Sequence, residues 1–121
     1  MKVLVVDENA SYRSHIAALL DRHGYSASTS TGSDALVKFR ELQPEIVVTE
    51  IVMIGQEGLD LIMKLRQLRR DLTIIATHGG VRARLYLRTA KLLGADAALE
   101  KPFSSEELLS ILRFSTRGAV S

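Results

Sequence analysis

The sequence contains no cysteine among its 121 residues. Disulfide bonds and thiolate metal sites are therefore excluded, and a reducing compartment such as the cytoplasm is the expected location. No apolar run approaches the roughly 18 residues that a membrane-spanning helix needs. The opening residues, MKVLVVDEN, are too short and too soon acidic for a signal peptide. These absences predict a cytoplasmic protein without a membrane segment.

A polybasic block is also absent. The net charge is only +2, and the basic residues are spread along the chain. Since nucleic-acid binding needs a concentrated basic surface and a recognition element, we do not expect it of this domain alone. Hydrophobic residues make up 46% of the chain and charged residues 25%, which is the balance of a globular protein. The length suits a single compact domain.

Short strand-like segments alternate with segments of helical periodicity. The strand-like segments are residues 3–6, 25–30, 45–49, 72–77 and 96–100. The helical segments contain the apolar positions Tyr12 to Leu20, Ala35 to Leu42, Leu61 to Leu68, Tyr86 to Leu93, and Leu108 to Leu112. Strict alternation predicts a parallel sheet covered by helices on both faces. We therefore expect a doubly wound, flavodoxin-like α/β fold with five strands in the order 2-1-3-4-5 and five helices.

The ends of these helices have recognisable signals. Gly24 and Gly94 each follow a periodic segment, as glycine does at helix C-termini. Ser104 and Glu107 have the spacing of a capping box, which predicts the start of the fifth helix. We take residues 1–115 as the domain and expect residues 116–121 to be a disordered tail.

Charged side chains follow the ends of four predicted strands. The first strand is followed by Asp7 and Glu8, the third by Glu50, the fourth by His78 and the fifth by Lys101. Because the carboxyl ends of parallel strands meet at one edge of the sheet, these residues should gather in one crevice. Buried carboxylates need a counter-charge, which Lys101 or a divalent ion such as Mg²⁺ could supply.

These segments resemble the receiver domain of two-component response regulators, from Val3 to Leu112. The matching motifs are VLVVDE (3–8), EIVVTEIVMIGQEGLDL (45–61), IIATHGG (74–80) and LGADAALEKPF (93–103). The resemblance implies an acid pair that holds Mg²⁺ and an aspartate that accepts phosphate from a histidine kinase. It also implies a hydroxyl and a lysine that hold the phosphoryl group. An aromatic residue in the fifth strand would report the state to the face formed by helix 4, strand 5 and helix 5.

Some positions match this pattern. Asp7 and Glu8 match the acid pair, and Glu8 occupies the position that would ligate the metal most directly. Glu50 and Val52 occupy the other metal positions. Lys101 matches the phosphate-contacting lysine, and the bond between it and the following proline is often cis in the family.

Four positions depart from the pattern. Glu50 replaces the phospho-accepting aspartate, and His78 replaces the serine or threonine. Ala98 replaces the reporting aromatic residue, and Ile54 stands where a proline is usual. Thr77 is adjacent to His78 and could be mistaken for the missing hydroxyl, but side chains alternate along a strand, so only one of the two points inward.

The departures weaken the phosphorylation chemistry. Glutamate moves the carboxylate by roughly 1–1.5 Å relative to aspartate, and a misplacement of about 1 Å can cost on the order of 100-fold in rate. We therefore expect no ordinary phosphorylation, weakened Mg²⁺ binding and no enzymatic activity beyond a weak residual.

Our hypothesis is that Glu50 pairs with Lys101, and with His78 as a third member, in a static ion network. The alternatives are a fixed mimic of the phosphorylated state, a phospho-accepting Mg²⁺-dependent switch, and a structural interaction domain of a larger regulator.

His78 admits two interpretations. An imidazole beside carboxylates favours its protonated form and would make a pH sensor. A packed, hydrogen-bonded histidine is the simpler alternative.

The fourth helix predicts a partner surface. Tyr86, Ala90 and Leu93 form an inward stripe, which leaves Leu85 and Leu92 on a neighbouring face. These two leucines lie among basic residues that include Arg84 and Arg88. Apolar groups ringed by arginine are typical of protein interfaces. We expect self-association or a protein partner at the face of helix 4, strand 5 and helix 5, with a histidine kinase as a possible further partner.

Overall fold

The computed structural model describes residues 1–52 and 58–117. In these residues five strands alternate with five helices. The strands are β1 (Lys2–Val6), β2 (Ser26–Ser30), β3 (Ile46–Glu50), β4 (Thr73–His78) and β5 (Ala97–Glu100). The helices are α1 (Ala10–Arg22), α2 (Ala35–Leu42), α3 (Gly58–Leu68), α4 (Ala83–Leu93) and α5 (Ser105–Arg117). The predicted position of Ile54 lies outside the described residues.

The strands form one parallel sheet in the order β2-β1-β3-β4-β5. The predicted flavodoxin-like topology is therefore confirmed. Every residue of β3 and β4 is buried, because each of these strands has a strand on both sides and helices above and below. This burial explains why both segments read as nearly continuous apolar runs, ending in Glu50 and His78.

The sheet has one apolar core on each face. Alternate residues of a strand point to opposite faces. Leu4 and Val6 therefore join the core beneath α2, α3 and α4, whereas Val3 and Val5 join the core beneath α1 and α5. The two cores fix the sheet between two layers of helices and leave the carboxyl edge of the strands free to form a site.

Local signals at the helix ends agree with the sequence. The backbone N–H of Glu107 donates to Ser104 Oγ at 3.0 Å, and the N–H of Ser104 donates to Glu107 Oε1 at 3.0 Å. This reciprocal pair is the predicted capping box. Gly94 ends α4 with φ 137°, a conformation that residues with a Cβ rarely adopt.

The last helix extends past the predicted domain end at residue 115. It continues to Arg117, and Thr116 is buried with its hydroxyl donating to the carbonyl of Leu112 at 2.7 Å. The expected tail therefore begins with two helical residues, and its remainder, residues 118–121, lies outside the described residues.

The inward face of α4 differs from the prediction. Ala83, Leu87 and Ala90 are buried, whereas Tyr86 is 38% exposed. Tyr86 was wrongly assigned to the inward stripe, because Leu87 offers the same helical spacing and packs into the core beneath α2, α3 and α4. Leu85 and Leu92 are exposed, as predicted. In the described part of the chain, no helix is long and apolar enough to cross a membrane.

Candidate functional site

The carboxyl ends of four neighbouring strands bring four charged or titratable side chains together. Asp7 follows β1, Glu50 ends β3, His78 ends β4, and Lys101 follows β5. Asp7, Glu50 and His78 are each at most 8% exposed. The structure therefore collects these side chains as the topology predicts.

Lys101 is the centre of this group. Its Nζ donates to Asp7 Oδ2 and to Glu50 Oε1, both at 2.8 Å. Burial alone would lower the pKa of Lys101, but the hydrogen bonds and charges of Asp7 and Glu50 outweigh it and raise the pKa above its ordinary value. The ammonium is thus held charged between two carboxylates.

Glu50 has both carboxylate oxygens engaged. Oε1 accepts from Lys101, while Oε2 accepts from His78 Nδ1 at 2.8 Å and from the backbone N–H groups of Ile51 at 2.8 Å and Val52 at 3.3 Å. Burial would raise the pKa of Glu50, but Lys101 first, then His78 and Ile51, hold it below its ordinary value. The structure confirms that Glu50 is hydrogen-bonded to Lys101 and to His78, as predicted. We name Asp7, Glu50, His78 and Lys101 the acid–lysine cluster.

Glu8 lies outside the acid–lysine cluster. Its Oε1 accepts from the backbone N–H of Gly32 at 3.2 Å, in the loop after β2. The main chain of Asp7 and Glu8 is bonded to Arg13, whose Nη1 donates to the carbonyl oxygen of Asp7 at 2.9 Å and to that of Glu8 at 3.2 Å. Glu8 is thus bonded to the loop after β2 and has no hydrogen bond to the cluster among the described residues.

The donors of the family's metal site do not fit Mg²⁺ in this arrangement. Mg²⁺ needs oxygen ligands that converge in a near-octahedral shell. Asp7 Oδ2 and Glu50 Oε1 converge on the Lys101 ammonium instead, and Glu8 is bonded elsewhere. Val52 turns its backbone N–H toward Glu50. Within residues 1–52 and 58–117, no three acidic or histidine side chains are grouped so that they could hold a metal ion.

His78 is positioned from three sides. Nδ1 bonds to Glu50, and the ring packs edge to face against Tyr86, with centroids 5.5 Å apart and an interplanar angle of 82°. A Cβ at Gly80 would lie 2.9 Å from His78 Nε2, so glycine leaves the space that the ring occupies. Thr77 is the backbone neighbour of Glu50 in the β3–β4 pairing, whereas it is the His78 side chain that bonds to the Glu50 carboxylate.

An open cavity of about 550 Å³ lies over the acid–lysine cluster. Its lining residues are Tyr12, Glu50, Val52, His78, Gly79, Gly80, Lys101 and Pro102. The Lys101–Pro102 peptide bond is cis. Ala98 is half-buried against the core beneath α2, α3 and α4, where it offers no ring that could reach the cavity.

Sequence reasoning missed two aromatic contacts of the cluster. The ring of Tyr12 covers Lys101, with Nζ 4.1 Å from the ring centroid, which is a cation–π distance. Burial and the charges of Asp7 and Glu50 raise the pKa of Tyr12. The signal that could have found Tyr12 is its place in the first turn of α1, directly after the acid loop. Tyr86 had no such signal, because helical spacing favoured an inward assignment.

The predicted partner residues are at the surface of α4. Leu85 is 53% exposed and Leu92 is 81% exposed. Arg84 and Arg88 are also exposed, and Arg84 Nε lies 3.8 Å from Glu100 Oε1 at the end of β5. The structure thus confirms the exposure of this surface.

The fold is a doubly wound α/β domain. At the carboxyl edge of its sheet it brings together Asp7 after β1, Glu50 at the end of β3 and Lys101 after β5. The family model described as "Response regulator receiver domain" matches residues 3–113. The chain therefore belongs to the response regulator receiver domain family.

Relatives of known sequence agree with this assignment. A probable transcriptional regulator, ycf27, of Porphyra purpurea is 36% identical over 121 residues, covering 98% of this chain and 48% of that protein. The response regulator MprA of Mycobacterium avium is 34% identical over 115 residues, covering 93% of this chain and 50% of that protein. The chain spans about half the length of these relatives.

Solved structures share the fold. The beryllofluoride-activated NtrC4 receiver domain dimer has a TM-score of 0.86 at 30% identity, covering 97% of both chains. The chemotaxis response regulator CheY4 of Vibrio cholerae has a TM-score of 0.84 at 26% identity, covering 94% of this chain and 97% of that one.

Proposed function

We propose that this receiver domain belongs to a two-component phosphorelay, is not phosphorylated in the usual way, and acts through protein contacts. The observation that supports the proposal is the engagement of Glu50. One oxygen faces the Lys101 ammonium and the other faces His78 and two backbone N–H groups. A carboxylate held by this many donors is a poor nucleophile, because attack on phosphorus would require it to give up charge-assisted hydrogen bonds.

Positioning supports the same proposal. Phosphoryl transfer depends almost entirely on placing the reacting groups and on stabilising charge. Glu50 is one methylene longer than the aspartate that the family uses, and His78 offers an imidazole where a compact hydroxyl would hold a phosphoryl oxygen. Two of the residues at the metal positions, Asp7 and Glu50, converge on Lys101 rather than on a site for Mg²⁺. In this proposal the acid–lysine cluster is a static ion network with no catalytic activity of its own.

The cluster also differs from a mimic of the phosphorylated state. A phosphoryl group carries a charge of about −1.5 to −2, whereas Glu50 carries a single charge and is already bonded to Lys101. Since Ala98 has no ring to respond, the standard reporting residue is missing as well.

We assign the protein contacts to α4 and its neighbours β5 and α5. The helix presents Leu85 and Leu92 among basic residues, and its sequence ARLYLRTAKLL contains no acid. A protein partner with carboxylates would complement it. The NtrC4 receiver domain named above forms a dimer, so a second copy of this chain is the next partner to test at this surface. The same proposal includes a histidine kinase as a further partner and a cytoplasmic location.

Phosphodonor labelling tests the proposal. We expect no stable phosphoryl label on the wild-type chain after incubation with acetyl phosphate and Mg²⁺, measured by intact mass. Glu50→Asp restores the shorter carboxylate, and Glu50→Asp with His78→Thr restores the hydroxyl too, so these variants show whether the remaining pocket is competent. A stable label on Glu50 of the wild type would overturn the proposal.

A phospho-accepting, Mg²⁺-dependent switch is the second candidate function. Asp7 and Lys101 are both present in the cluster and in contact, which is the observation that favours it. Wild-type labelling that depends on Mg²⁺ would establish this candidate.

A further inference from the structure

The acid–lysine cluster has an aromatic contact that leads out of the site. His78 bonds to Glu50 through Nδ1 and packs its ring against Tyr86. Tyr86 belongs to α4, whereas Glu50 and His78 belong to β3 and β4. One imidazole therefore touches both the acceptor position and the helix of the proposed partner surface.

Tyr86 connects the acid–lysine cluster with the surface of α4. It is 38% exposed, so one part of the side chain faces solvent while its ring contacts buried His78. Its chain neighbour Leu85 is 53% exposed. Edge-to-face aromatic pairs at this separation are attractive and orientation-dependent, so a turn or shift of the imidazole changes the preferred position of the tyrosine ring.

The imidazole is bonded to Glu50 through Nδ1 and packed against Tyr86 through its ring. Gly80 borders Nε2 so closely that a Cβ there would lie 2.9 Å away. A displacement of the imidazole at Glu50 therefore alters its contact with Tyr86 on α4.

We propose that His78 and Tyr86 form the link between Glu50 and the surface of α4, with Tyr86 as the reporting residue of this chain. The link uses α4 and a histidine, and needs neither a strand-end hydroxyl nor an aromatic residue at Ala98. The inference rests on the proposed function only in taking α4 as the output surface.

NMR of the tyrosine rings and of the α4 amides tests the link. Glu50→Gln keeps the shape of the side chain and removes its charge, so the resonances of Tyr86 and of residues 83–93 should shift. Glu8→Gln is the matched control, because it makes the same chemical change at the same sheet edge without contact to His78. We expect it to leave Tyr86 unshifted.

A double-mutant cycle separates this route from a general disturbance. His78→Phe keeps an aromatic ring against Tyr86 and removes the hydrogen bond to Glu50. In that background, Glu50→Gln should no longer shift Tyr86. Gly80→Ala offers an independent perturbation, since the new Cβ displaces the imidazole directly, and it should shift Tyr86 with Glu50 unchanged.

Two outcomes would overturn the link. Either Tyr86 fails to respond to Glu50→Gln and Gly80→Ala, or it responds to Glu50→Gln equally with His78 and with His78→Phe. Neither outcome bears on labelling by a phosphodonor. A labelled Glu50 with a responsive Tyr86 would refute only the proposed function, and an unlabelled chain with a silent Tyr86 would refute only the link.

Discussion

Glu50 keeps its charge in a buried position because three kinds of donor face it. Desolvation of a carboxylate is costly unless cations and hydrogen bonds replace the lost water. Here Lys101, His78 and the backbone N–H groups of Ile51 and Val52 make that replacement. The same contacts that remove Glu50 from phosphorylation chemistry in our proposal also make it a contributor to folding stability.

The pH dependence of stability follows from the sign of the Glu50 pKa shift. Its folded-state pKa lies below the ordinary 4.5, so Glu50 contributes stability that is present above pH 4.5 and is lost as pH falls through the folded-state pKa. Glu50→Gln removes this contribution. We expect the variant to be about 1–3 kcal/mol less stable at neutral pH, and the gap to close in acid.

Denaturant unfolding of both proteins from neutral to acid pH measures this gap. Glu41→Gln, which changes an exposed carboxylate of α2, controls for the loss of a surface charge. A gap between wild type and Glu50→Gln that stays constant in acid would contradict the assigned shift.

The members of the cluster were predictable, but their contacts were only partly so. The strand order places Asp7, Glu50 and Lys101 at one edge of the sheet. Since the two acids and the lysine have opposite charges, ion pairs between them were the expected contacts. Glu8 was different, because its partner is a backbone N–H of Gly32, 24 residues away in sequence. Such a choice depends on the shape of a loop that residue type does not determine.

Helix α4 presents two leucine positions with opposite roles. Leu87 is 7% exposed and belongs to the core, while Leu92 is 81% exposed. The helical period places several apolar residues on adjoining faces, so sequence spacing alone could not decide which line turns inward. Packing of α4 against β4 and β5 determines that Leu87 turns inward. Tyr86 lies at the boundary between the buried and exposed faces, where its ring contacts His78.

Substitutions on the two faces of α4 should separate folding from binding. Leu85→Asp with Leu92→Asp should leave the free energy of unfolding nearly unchanged, because both side chains are exposed, and should weaken self-association or partner binding. Leu87→Ala should cost about 2–5 kcal/mol of stability by opening a cavity. Thermal unfolding and sedimentation measure the two effects. Sedimentation and pull-down behaviour unchanged by the double substitution would count against the proposed surface.

The arrangement of the whole molecule explains why the site lies where it does. Two apolar cores cover the two faces of the sheet, and the buried charged or titratable side chains of the described residues, Asp7, Glu50 and His78, lie at strand ends. The doubly wound order then sets β1, β3, β4 and β5 side by side. The fold was predictable because period, strand length and alternation all indicated the same topology. Rotamers at the edge were not, since they depend on packing between elements.

The effect of Mg²⁺ on the thermal stability of the domain tests whether a metal can compete with Lys101 for Asp7 and Glu50. A ligand that binds only the folded state stabilises it, by about 2.7 kcal/mol at a concentration 100 times its Kd. In the wild type, Lys101 Nζ already occupies the point on which Asp7 and Glu50 converge. We therefore expect the same Tm in Mg²⁺ as in EDTA at matched ionic strength.

Lys101→Met should reverse this behaviour. It leaves Asp7 and Glu50 facing each other without a cation, so the variant should be less stable than the wild type, because an uncompensated buried charge costs about 3–5 kcal/mol. A divalent cation can replace the missing ammonium, and Mg²⁺ should then raise the Tm of the variant while NaCl of equal ionic strength does not. If Mg²⁺ instead raises the Tm of the wild type, its carboxylates can exchange Lys101 for a metal, and the static ion network would have to be abandoned. An unresponsive variant would show that Asp7 and Glu50 do not bind Mg²⁺ even without Lys101.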